Sequence, residues 1–400
     1  MNKICILGLG YIGLPTAGIL AAKGFHVSGV DTNKNIVKMI NQAKLHITEP
    51  GLGKLVRKVV RSGFLRANVN PDEADVFIIC VPTPLKKGNK SDLSYIKEAG
   101  RSILPYLKKG NLVILESTVP PGTTRDVLIP ILERSGLKVG KDLMVSHCPE
   151  RVLPGKILKE VVQNDRLIGG IDSKSNLLAK KIYKTFVKGN IYLTDATTAE
   201  MVKLTENSFR DINIAFANEI SKICDRLKIS VWDVISFANR HPRVNIHKPG
   251  PGVGGHCIAV DPYFIKEVAS KEAILINTAR KINNGMPGYV VSKVEKILKR
   301  IKNSIIACFG ITYKADVSDL RQSPSLEIVK RLIKKRYKVR VCDPNIKYYP
   351  EFKILSMEKA IKGADCCLIL VDHEQFKRAK WERLLSKMRH KNIIDIKRIF

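Results

Sequence analysis

With 400 residues, 44% of them hydrophobic and 6% aromatic, the chain can bury two or three mainly aliphatic cores. It has no apolar run approaching the roughly 18 residues of a membrane span, and its N-terminus lacks the layout of a signal peptide, so we expect a cytoplasmic protein. The formal net charge of +32 is extreme, but the basic residues are spread along the chain with few aromatics among them to stack on bases. We therefore expect a solvated basic surface that also favours polyphosphate-type substrates, and neither a nucleic-acid nor a membrane partner.

Residues 1–195 alternate between strand-length apolar runs and helical stretches. The runs are bounded by turn residues and cover residues 3–7, 26–30, 75–81, 112–117 and 142–146. Such alternation is typical of a parallel sheet with helices on both faces. We expect this part of the chain to form a Rossmann-like domain.

The segment GLGYIG follows the first strand directly and provides Gly8, Gly10 and Gly13 of a GxGxxG turn. Glycines at these positions allow a tight turn and let a pyrophosphate approach backbone N–H groups at the start of a helix. Asp31 ends the second strand, where its carboxylate would accept hydrogen bonds from ribose hydroxyls and repel a 2′-phosphate. The segment therefore predicts NAD rather than NADP as cofactor; the alternative is a turn that serves packing alone.

Residues 196–300 are mostly helical in pattern. Thr197 and Glu200 have the spacing of a capping box, and neither proline nor glycine interrupts the chain from there to about residue 228. A helix of that length, about 45 Å, often spans between domains and offers a surface for dimerisation. Lys203, Asn207 and Arg210 share one polar stripe with Glu200, which is either a solvated face or part of a site.

The segment KPGPGVGGHCIAVDP, residues 248–262, is rich in glycine and proline and indicates a loop that presses against a ligand. Cys257 follows Gly254, Gly255 and His256 in this loop. If a helix begins here, its N-terminus and the neighbouring imidazole would favour the thiolate, and Asp261 would share its face. The alternative is that Cys257 only fills space in a tight loop.

The remaining cysteines do not indicate a metal site. Most of them lie in or beside apolar runs, as small buried hydrophobes do: Cys5, Cys80, Cys308, Cys342, Cys366 and Cys367. The chain has nine cysteines and no CxxC pair, so the sequence predicts neither a disulfide framework nor bound metal.

Residues 301–400 resemble a degenerate second copy of the first segment. Residues 304–310 repeat the first strand with its glycine, and the strand at 338–341 leads to Asp343 as the earlier one leads to Asp31. The GxGxxG turn is missing. We expect an α/β protein with two doubly wound domains, joined by the long helix and a helical middle domain, the second being modified for another ligand.

Taken in order, the motifs are similar to those of the UDP-glucose/GDP-mannose dehydrogenase family across nearly the whole chain. They are GLGYIGLP, VPTP, ESTVPPGTT, CPERVLPG, AEMVKLTENSFR, GPGVGGHCIAVDPYF and GITYKADVSDLRQSPS. Within the family, GVGGHCIAVDP and PERVLPG look most like the branch that acts on UDP-N-acetyl-D-mannosamine. The resemblance implies NAD-dependent, two-step oxidation of the C6 hydroxyl of a UDP-N-acetylhexosamine, with UDP-N-acetylglucosamine and UDP-glucose as alternative substrates, and a product that serves as a polysaccharide precursor. The long helix predicts a homodimer or a higher homo-oligomer.

The resemblance also implies roles for individual residues. Cys257 would be the nucleophile that forms a thiohemiacetal and then a thioester. Lys203 and Asn207 would stabilise oxyanions, with Lys203 a candidate proton acceptor. Asp261 and Thr118 would orient or activate water. Glu150 matches the first glutamate of a family segment whose second glutamate is Pro154 here, which leaves the role of that second glutamate open.

Two sets of ligand contacts follow from the same resemblance. Those implied for the cofactor are Gly8, Gly10, Tyr11, Ile12, Gly13, Asp31, Pro82, Thr83, Thr118 and Arg321. Those implied for the UDP-sugar are Arg151, Val152, Lys203, Asn207, Arg210, Arg243, His247, Gly250, Gly254, Tyr313 and Lys314.

Two other functions stay open on the sequence. A one-step alcohol or hydroxyacid dehydrogenase could use the same sheet, but it would need neither the loop before Cys257 nor a second wound domain. A nucleic-acid-binding protein is supported by the positive charge alone.

Overall fold

The computed structural model describes residues 1–153, 155–255 and 257–400. Pro154 and His256, both named above, lie outside the described residues. The chain divides into two compact units. The N-terminal unit comprises Met1–Glu206 with Tyr263–Ala269, and the C-terminal unit comprises Asn207–Pro262 with Ser270–Phe400. The three domain ranges expected from the sequence, 1–195, 196–300 and 301–400, stay a prediction.

An eight-stranded sheet forms the centre of the N-terminal unit, in the order β3-β2-β1-β4-β5-β6-β7-β8. The strands are β1 (Lys3–Leu7), β2 (His26–Val30), β3 (Leu65–Asn68), β4 (Val76–Ile79), β5 (Leu112–Leu115), β6 (Met144–His147), β7 (Arg166–Gly170) and β8 (Ile191–Asp195). Neighbouring strands are parallel except β6 and β7. The first six have the doubly wound order, in which a crevice opens where the order reverses, at the carboxyl ends of β1 and β4.

Helices cover both faces of this sheet, as the alternating pattern predicts. They are α1 (Gly13–Ala22), α2 (Lys34–Asn41), α3 (Leu52–Arg61), α4 (Ser94–Ile103), α5 (Ile129–Leu132), α6 (Ile157–Gln163) and α7 (Ser173–Tyr183). Successive side chains of a strand point to opposite faces. Accordingly Ile4 and Ile6 of β1 lie in one apolar core, and Cys5 and Leu7 lie in another.

The C-terminal unit contains a four-stranded parallel sheet in the order β10-β9-β11-β12. Its strands are β9 (Ile305–Phe309), β10 (Lys338–Cys342), β11 (Cys366–Ile369) and β12 (Asn392–Asp395). The helices that follow α7 along the chain are α8 (Ala196–Leu227), α9 (Val231–Ala238), α10 (Asp261–Val268), α11 (Ile274–Leu298), α12 (Pro324–Lys334), α13 (Met357–Ile361), α14 (Glu374–Lys377) and α15 (Trp381–Leu385). The expected fold class, with two Rossmann-like sheets and a long central helix, is confirmed.

The first sheet holds the acid at the end of its second strand by a set of backbone hydrogen bonds. Gly8 N–H donates to Val30 O at 2.8 Å. The Asp31 carboxylate accepts from Leu9 N at 3.1 Å and from Asn33 N at 2.9 Å. Both carboxylate oxygens are thereby oriented at the crevice.

The second sheet repeats this hydrogen-bond set. Gly310 N–H donates to Cys342 O at 2.8 Å. The Asp343 carboxylate accepts from Ile311 N at 2.8 Å and from Asn345 N at 2.9 Å. The resemblance between the two segments is therefore present in the backbone contacts and not only in the apolar pattern.

The long helix α8 begins in a different way from the expected one. Asp195 caps it, because its carboxylate accepts from Thr198 N at 2.9 Å and from Thr198 Oγ1 at 2.5 Å. The Glu200 side chain is buried and accepts from the loop at Gly122 and Thr124. The predicted capping box of Thr197 and Glu200 is therefore wrong, since an aspartate already provides the cap. No helix in the described parts of the chain is both long and apolar enough to cross a bilayer.

Candidate functional site

The glycine turn of the N-terminal unit has one glycine that the protein's own packing does not require. A Cβ on Gly8, whose φ is +91°, would lie 2.7 Å from Cys80 O, and a Cβ on Gly13 would lie 1.8 Å from Gly8 O. Among the described residues, a Cβ on Gly10 would meet no atom within 4 Å. The space in front of Gly10 is therefore open to a ligand, directly before the first N–H groups of α1. This arrangement fits the pyrophosphate of a dinucleotide.

Two loops that follow β4 and β5 are joined beside this turn. Thr83 Oγ1 donates to Thr118 O at 2.7 Å, and Ser117 Oγ donates to Val81 O at 2.7 Å. The structure thus brings together Thr83 and Thr118, both predicted to contact the cofactor. Of the other residues predicted there, Tyr11 and Pro82 are exposed and Ile12 is half-buried.

Glu150 belongs to a buried ionic network. Arg166 donates to Glu150 Oε2 at 2.6 Å and to Glu116 Oε1 at 2.5 Å, and all three side chains are buried. Tyr183 Oη donates to Glu116 Oε1 at 2.5 Å, while its ring lies 4.3 Å below the Arg166 guanidinium. Burial raises the pKa of Glu116, and the Arg166 charge opposes that rise.

The second Glu150 oxygen accepts from the backbone N–H of Arg151 at 2.8 Å. The Arg151 guanidinium is in turn bound within the same unit, to Glu206 Oε1 and to Asp165 O, each at 2.7 Å. Glu150 therefore anchors the segment that carries Arg151 and Val152. Lys203 is half-buried on α8, one turn beyond Glu200.

Cys257 differs from the other cysteines in being exposed, whereas the other eight are buried or half-buried. Its carbonyl oxygen accepts from Val260 N and Asp261 N, each at 2.9 Å. Helix α10 begins only at Asp261. Cys257 thus lies in the turn that leads into α10, so the condition considered in the sequence, a helix that begins at the cysteine, is not met.

Asn207 and Asp261 form a buried pair in the C-terminal unit. Asn207 Nδ2 donates to Asp261 Oδ2 at 2.6 Å, and the two residues are 7% and 3% exposed. Because the Asp261 N–H is also bound to the Cys257 carbonyl, three residues predicted to be catalytic are joined by direct contacts. The Asn207 amide carries two N–H bonds, and among the described residues only Asp261 accepts from it, so the other N–H can stabilise a negative oxygen.

The glycine-rich loop before Cys257 packs without side chains against the residues after β9. A Cβ on Gly254 would lie 2.6 Å from Gln322 O and 2.8 Å from Tyr313 Cβ, and a Cβ on Gly255 would lie 2.9 Å from the Tyr313 ring. Gly255 N–H donates to Arg321 O at 3.1 Å. The Arg321 guanidinium is paired with Asp319 at 2.6 Å. The structure therefore groups Gly254, Tyr313 and Arg321 in one contact.

Further basic residues of the predicted sugar site lie on this unit. Burial and the Arg210 charge lower the pKa of the His247 side chain. The backbone N–H of His247 donates to Asn213 Oδ1 at 2.7 Å. Arg210, Arg243 and Lys314 are exposed. The contacts bring Arg210 towards His247 and leave Arg243 without a described contact to the other predicted residues.

Some residues at these sites carry no local sequence signal. Lys397 Nζ lies 3.5 Å from the Cβ position of Gly250, and Asn218 Oδ1 accepts from Gly250 N at 2.8 Å. Burial and the nearby Lys248 lower the pKa of Lys397, against the opposing effect of Asp372. Arg166 was also missed; its one signal in the sequence is that an arginine at the start of an apolar strand suggests a buried acidic partner, without saying which one. The described residues include no group of three or more His, Cys, Asp or Glu side chains that could hold a metal ion.

Comparison with known proteins gives matches along the chain. Three models of the UDP-glucose/GDP-mannose dehydrogenase family match: its NAD binding domain at residues 2–187, its central domain at 197–285 and its UDP binding domain at 307–400. A UDP-N-acetyl-D-mannosamine dehydrogenase of Methanocaldococcus jannaschii is 51% identical over 100% of this chain and 92% of its own length. An NDP-N-acetyl-D-galactosaminuronic acid dehydrogenase of Ralstonia solanacearum is 49% identical over 97% of this chain and 94% of its own. The solved UDP-D-ManNAc dehydrogenase of Pyrococcus horikoshii is 44% identical with a TM-score of 0.92, covering 100% of this chain and 96% of that one.

Proposed function

Because this chain belongs to the UDP-glucose/GDP-mannose dehydrogenase family, whose NAD-binding domain its first 187 residues match, we propose that it oxidises the C6 hydroxyl of UDP-N-acetyl-D-mannosamine to a carboxylate. The observation that carries the chemistry is the exposed Cys257 thiol, whose backbone contacts the buried Asn207–Asp261 pair. The choice of sugar is supported by the relatives of that name, among them the one that is 51% identical.

The reaction needs two oxidations at one carbon. NAD, when bound, accepts the hydride that leaves C6 in each of them. In the first oxidation, Lys203 takes the proton of the C6 hydroxyl as the hydride leaves C6, and the product is an aldehyde. The Cys257 thiolate then attacks the aldehyde carbon, forms a C–S bond and moves the carbonyl electron pair onto oxygen. The second Asn207 N–H and the Lys203 ammonium stabilise this oxyanion.

Collapse of the oxyanion restores the C=O bond as the second hydride leaves, and the sugar becomes a thioester of Cys257. Water attacks the thioester, the C–S bond breaks and the thiolate returns. Asp261 accepts a proton from that water, and its bond to Asn207 keeps both groups at the same oxygen. Thr118 orients the cofactor side of the site. Glu150 acts as an anchor for Arg151 and Val152, since each of its oxygens already accepts a hydrogen bond.

We also propose that the enzyme is a homodimer formed through α8. Phe209, Phe216 and Ile223 are spaced by seven residues and are 65%, 47% and 47% exposed, so they form one apolar stripe about 21 Å long. Phe237 of α9 is 67% exposed and belongs to the same unit. A second copy offers an identical stripe and covers this surface by symmetry.

We propose a cytoplasmic location because the cysteine thiols are reduced. None of the nine cysteines, all of which lie in the described parts of the chain, forms a disulfide, and the proposed reaction depends on one that is exposed. Such a thiol persists in a reducing compartment, whereas an oxidising compartment would convert it to a disulfide.

The test is the stoichiometry of NADH release. Purified enzyme is given a limiting amount of each UDP-sugar in turn: N-acetylmannosamine, N-acetylglucosamine, N-acetylgalactosamine and glucose, with either NAD or NADP. We expect two NADH and one uronic acid per UDP-N-acetylmannosamine, with NAD preferred because Asp31 repels a 2′-phosphate. One NADH with an aldehyde product would instead establish a one-step dehydrogenase. A higher kcat/KM for another sugar would overturn the substrate assignment alone.

A further inference from the structure

A buried imidazole fills the crevice at the carboxyl ends of β9, β10 and β11. His373 follows β11 and is 0% exposed. Its Nδ1 accepts from the Asp316 backbone N–H at 3.0 Å and lies 2.9 Å from Asn345 Nδ2. Its Nε2 lies 3.2 Å from Asp343 Oδ2 and 3.2 Å from Thr312 Oγ1.

These contacts determine the tautomer of the ring. A backbone N–H can only donate, so Nδ1 must be the unprotonated nitrogen, and the ring proton is on Nε2, where it faces the Asp343 carboxylate. The ring therefore accepts on one side from the turn at residues 312–316 and donates on the other side to the sheet. The His373 ring therefore connects the turn to the sheet.

The turn at residues 312–316 is held at both ends around this ring. Thr312 Oγ1 donates to Lys314 O at 2.8 Å, and Asp316 Oδ1 accepts from Glu374 N at 3.0 Å. Asp316 has a φ of +58°, in the left-handed region that costs a non-glycine residue about 1–2 kcal/mol. The backbone contact to His373 is made by this strained residue, so the ring helps to hold a conformation that the chain would otherwise leave.

The same turn carries two residues of the proposed site. Lys314 is exposed, and the Tyr313 ring lies against the position of Gly255, two residues before Cys257. Any change in the turn is therefore passed to the proposed UDP contact and to the backbone of the cysteine loop.

We propose that His373 is a positioning residue: its imidazole fixes the turn at residues 312–316 and so sets the placement of Lys314 and of the loop that carries Cys257. The effect of His373 on UDP binding through Lys314 rests on the proposed function, whereas its effect on the loop that carries Cys257 does not.

The first experiment compares two substitutions of His373. Glutamine offers one acceptor and one donor and can reproduce both contacts, whereas phenylalanine fills the volume and reproduces neither. UDP binding to the full chain is measured by titration calorimetry. We expect His373→Phe to weaken UDP binding by about tenfold or more and His373→Gln to recover most of the loss. The matched control is His390→Phe, which removes an imidazole–carboxylate contact of 2.7 Å to Asp365 and should leave UDP binding unchanged. Asp365 precedes β11 and therefore lies at the amino end of this strand, away from the carboxyl ends where His373 lies.

The second readout needs no catalysis. Iodoacetamide should modify the exposed Cys257 before the other cysteines, and peptide mass mapping gives its rate. We expect this rate to change in His373→Phe, to return towards the wild-type value in His373→Gln and to stay constant in His390→Phe.

A folded His373→Phe variant with the wild-type UDP affinity and alkylation rate would reduce His373 to a stabilising residue and overturn the proposal, even if its Tm were lower. If that variant does not fold, Asn345→Ala keeps the ring and removes one contact to Nδ1. It should weaken UDP binding in the same direction, and unchanged binding and alkylation would again overturn the proposal. A wild-type chain that binds UDP but releases no NADH with any sugar would contradict the proposed function and leave the role of His373 intact.

Discussion

At the scale of single residues, the thiol of Cys257 is the group on which the proposed covalent mechanism depends. Cys257→Ala removes the nucleophile and leaves the glycine turn, Asp31 and Lys203 in place. We expect NAD binding to persist, while oxidation to the acid falls by several orders of magnitude, as is usual when a covalent nucleophile is lost. NADH release and NAD binding by fluorescence titration measure the two effects.

Cys257→Ser is the matched variant. A serine adduct would be an ester, which water cleaves more slowly than a thioester, so a sugar–enzyme adduct should be visible by intact-mass spectrometry. Full release of two NADH by Cys257→Ala would exclude the covalent mechanism without changing the family.

His147 provides a residue-scale prediction about pH. It is buried on β6, and both ring nitrogens lack a hydrogen-bond partner within the described residues. Burial lowers its pKa to about 3, with a further contribution from the Arg166 charge. The unfolded chain takes up a proton on this ring below about pH 6.5, and the folded chain does not. The contribution of the neutral ring to the free energy of unfolding is therefore fully present above that pH and is lost as the pH falls towards 3.

The expected loss between pH 7 and pH 5 is about 2 kcal/mol from this residue. His147→Phe removes the titrating ring and should flatten the dependence of the free energy of unfolding on pH over that range. Urea unfolding at the two pH values measures it. An unchanged slope in the variant would show that other groups account for the acid sensitivity.

At the scale of elements, the start of α8 is tied to the loop that follows β5. The Glu200 carboxylate accepts from Gly122 N at 2.5 Å, from Thr124 N at 2.7 Å and from Thr124 Oγ1 at 2.6 Å. Glu200→Ala would leave three buried donors without an acceptor, and we expect a loss of about 2–4 kcal/mol in the free energy of unfolding. Glu200→Gln keeps one acceptor oxygen and should lose less. Equal losses in urea unfolding would mean that packing, and not these hydrogen bonds, sets the contribution of Glu200.

The elements that could be predicted from the sequence are those with a strong local pattern. Strands β1, β2, β4, β5, β6 and β9 are apolar runs between turn residues, and α8 has no residue that would interrupt it. The cap of α8 was mispredicted because two candidate caps, Asp195 and Thr197, lie within three residues, and only the three-dimensional contacts of Glu200 decide between them. The antiparallel pairing of β6 and β7 likewise leaves no trace in either strand's composition.

The residues of the candidate site likewise fall into those that the sequence indicates and those that only the fold brings together. Cys257, Asn207 and Asp261 are marked by their loop and by helical spacing, and direct contacts join them. Arg166 lies 16 residues from Glu150 and 50 residues from Glu116 in the chain, so no local pattern could indicate which carboxylates it pairs with. Lys397 was missed for the same reason, since it reaches Gly250 only through the fold.

At the scale of the whole molecule, the apolar stripe of α8 predicts the oligomeric state. Phe216→Asp places a charge in the middle of the stripe, where pairing with an identical copy would bury two such charges. We expect the variant to be a monomer by light scattering after size exclusion, and the wild type to be a dimer. Leu177→Asp is the control, since that leucine is 61% exposed on α7, outside the stripe, and the dimer should persist. A dimer that survives Phe216→Asp would move the interface elsewhere.

The acid at the end of the second sheet's second strand, Asp343, differs from Asp31 in its access to a ligand. Asp31 remains half-buried, whereas the Asp343 side chain is fully covered and already engaged by an imidazole. In the parts of the chain that the structure describes, one such acid is therefore available to a ribose, although complete oxidation delivers two hydrides. In the proposed reaction, the half-oxidised sugar would therefore stay on the protein while NADH is exchanged for NAD. The proposed bond to Cys257 would then have to last longer than that exchange. It would keep a reactive aldehyde from escaping in the meantime, and turnover could be no faster than the exchange.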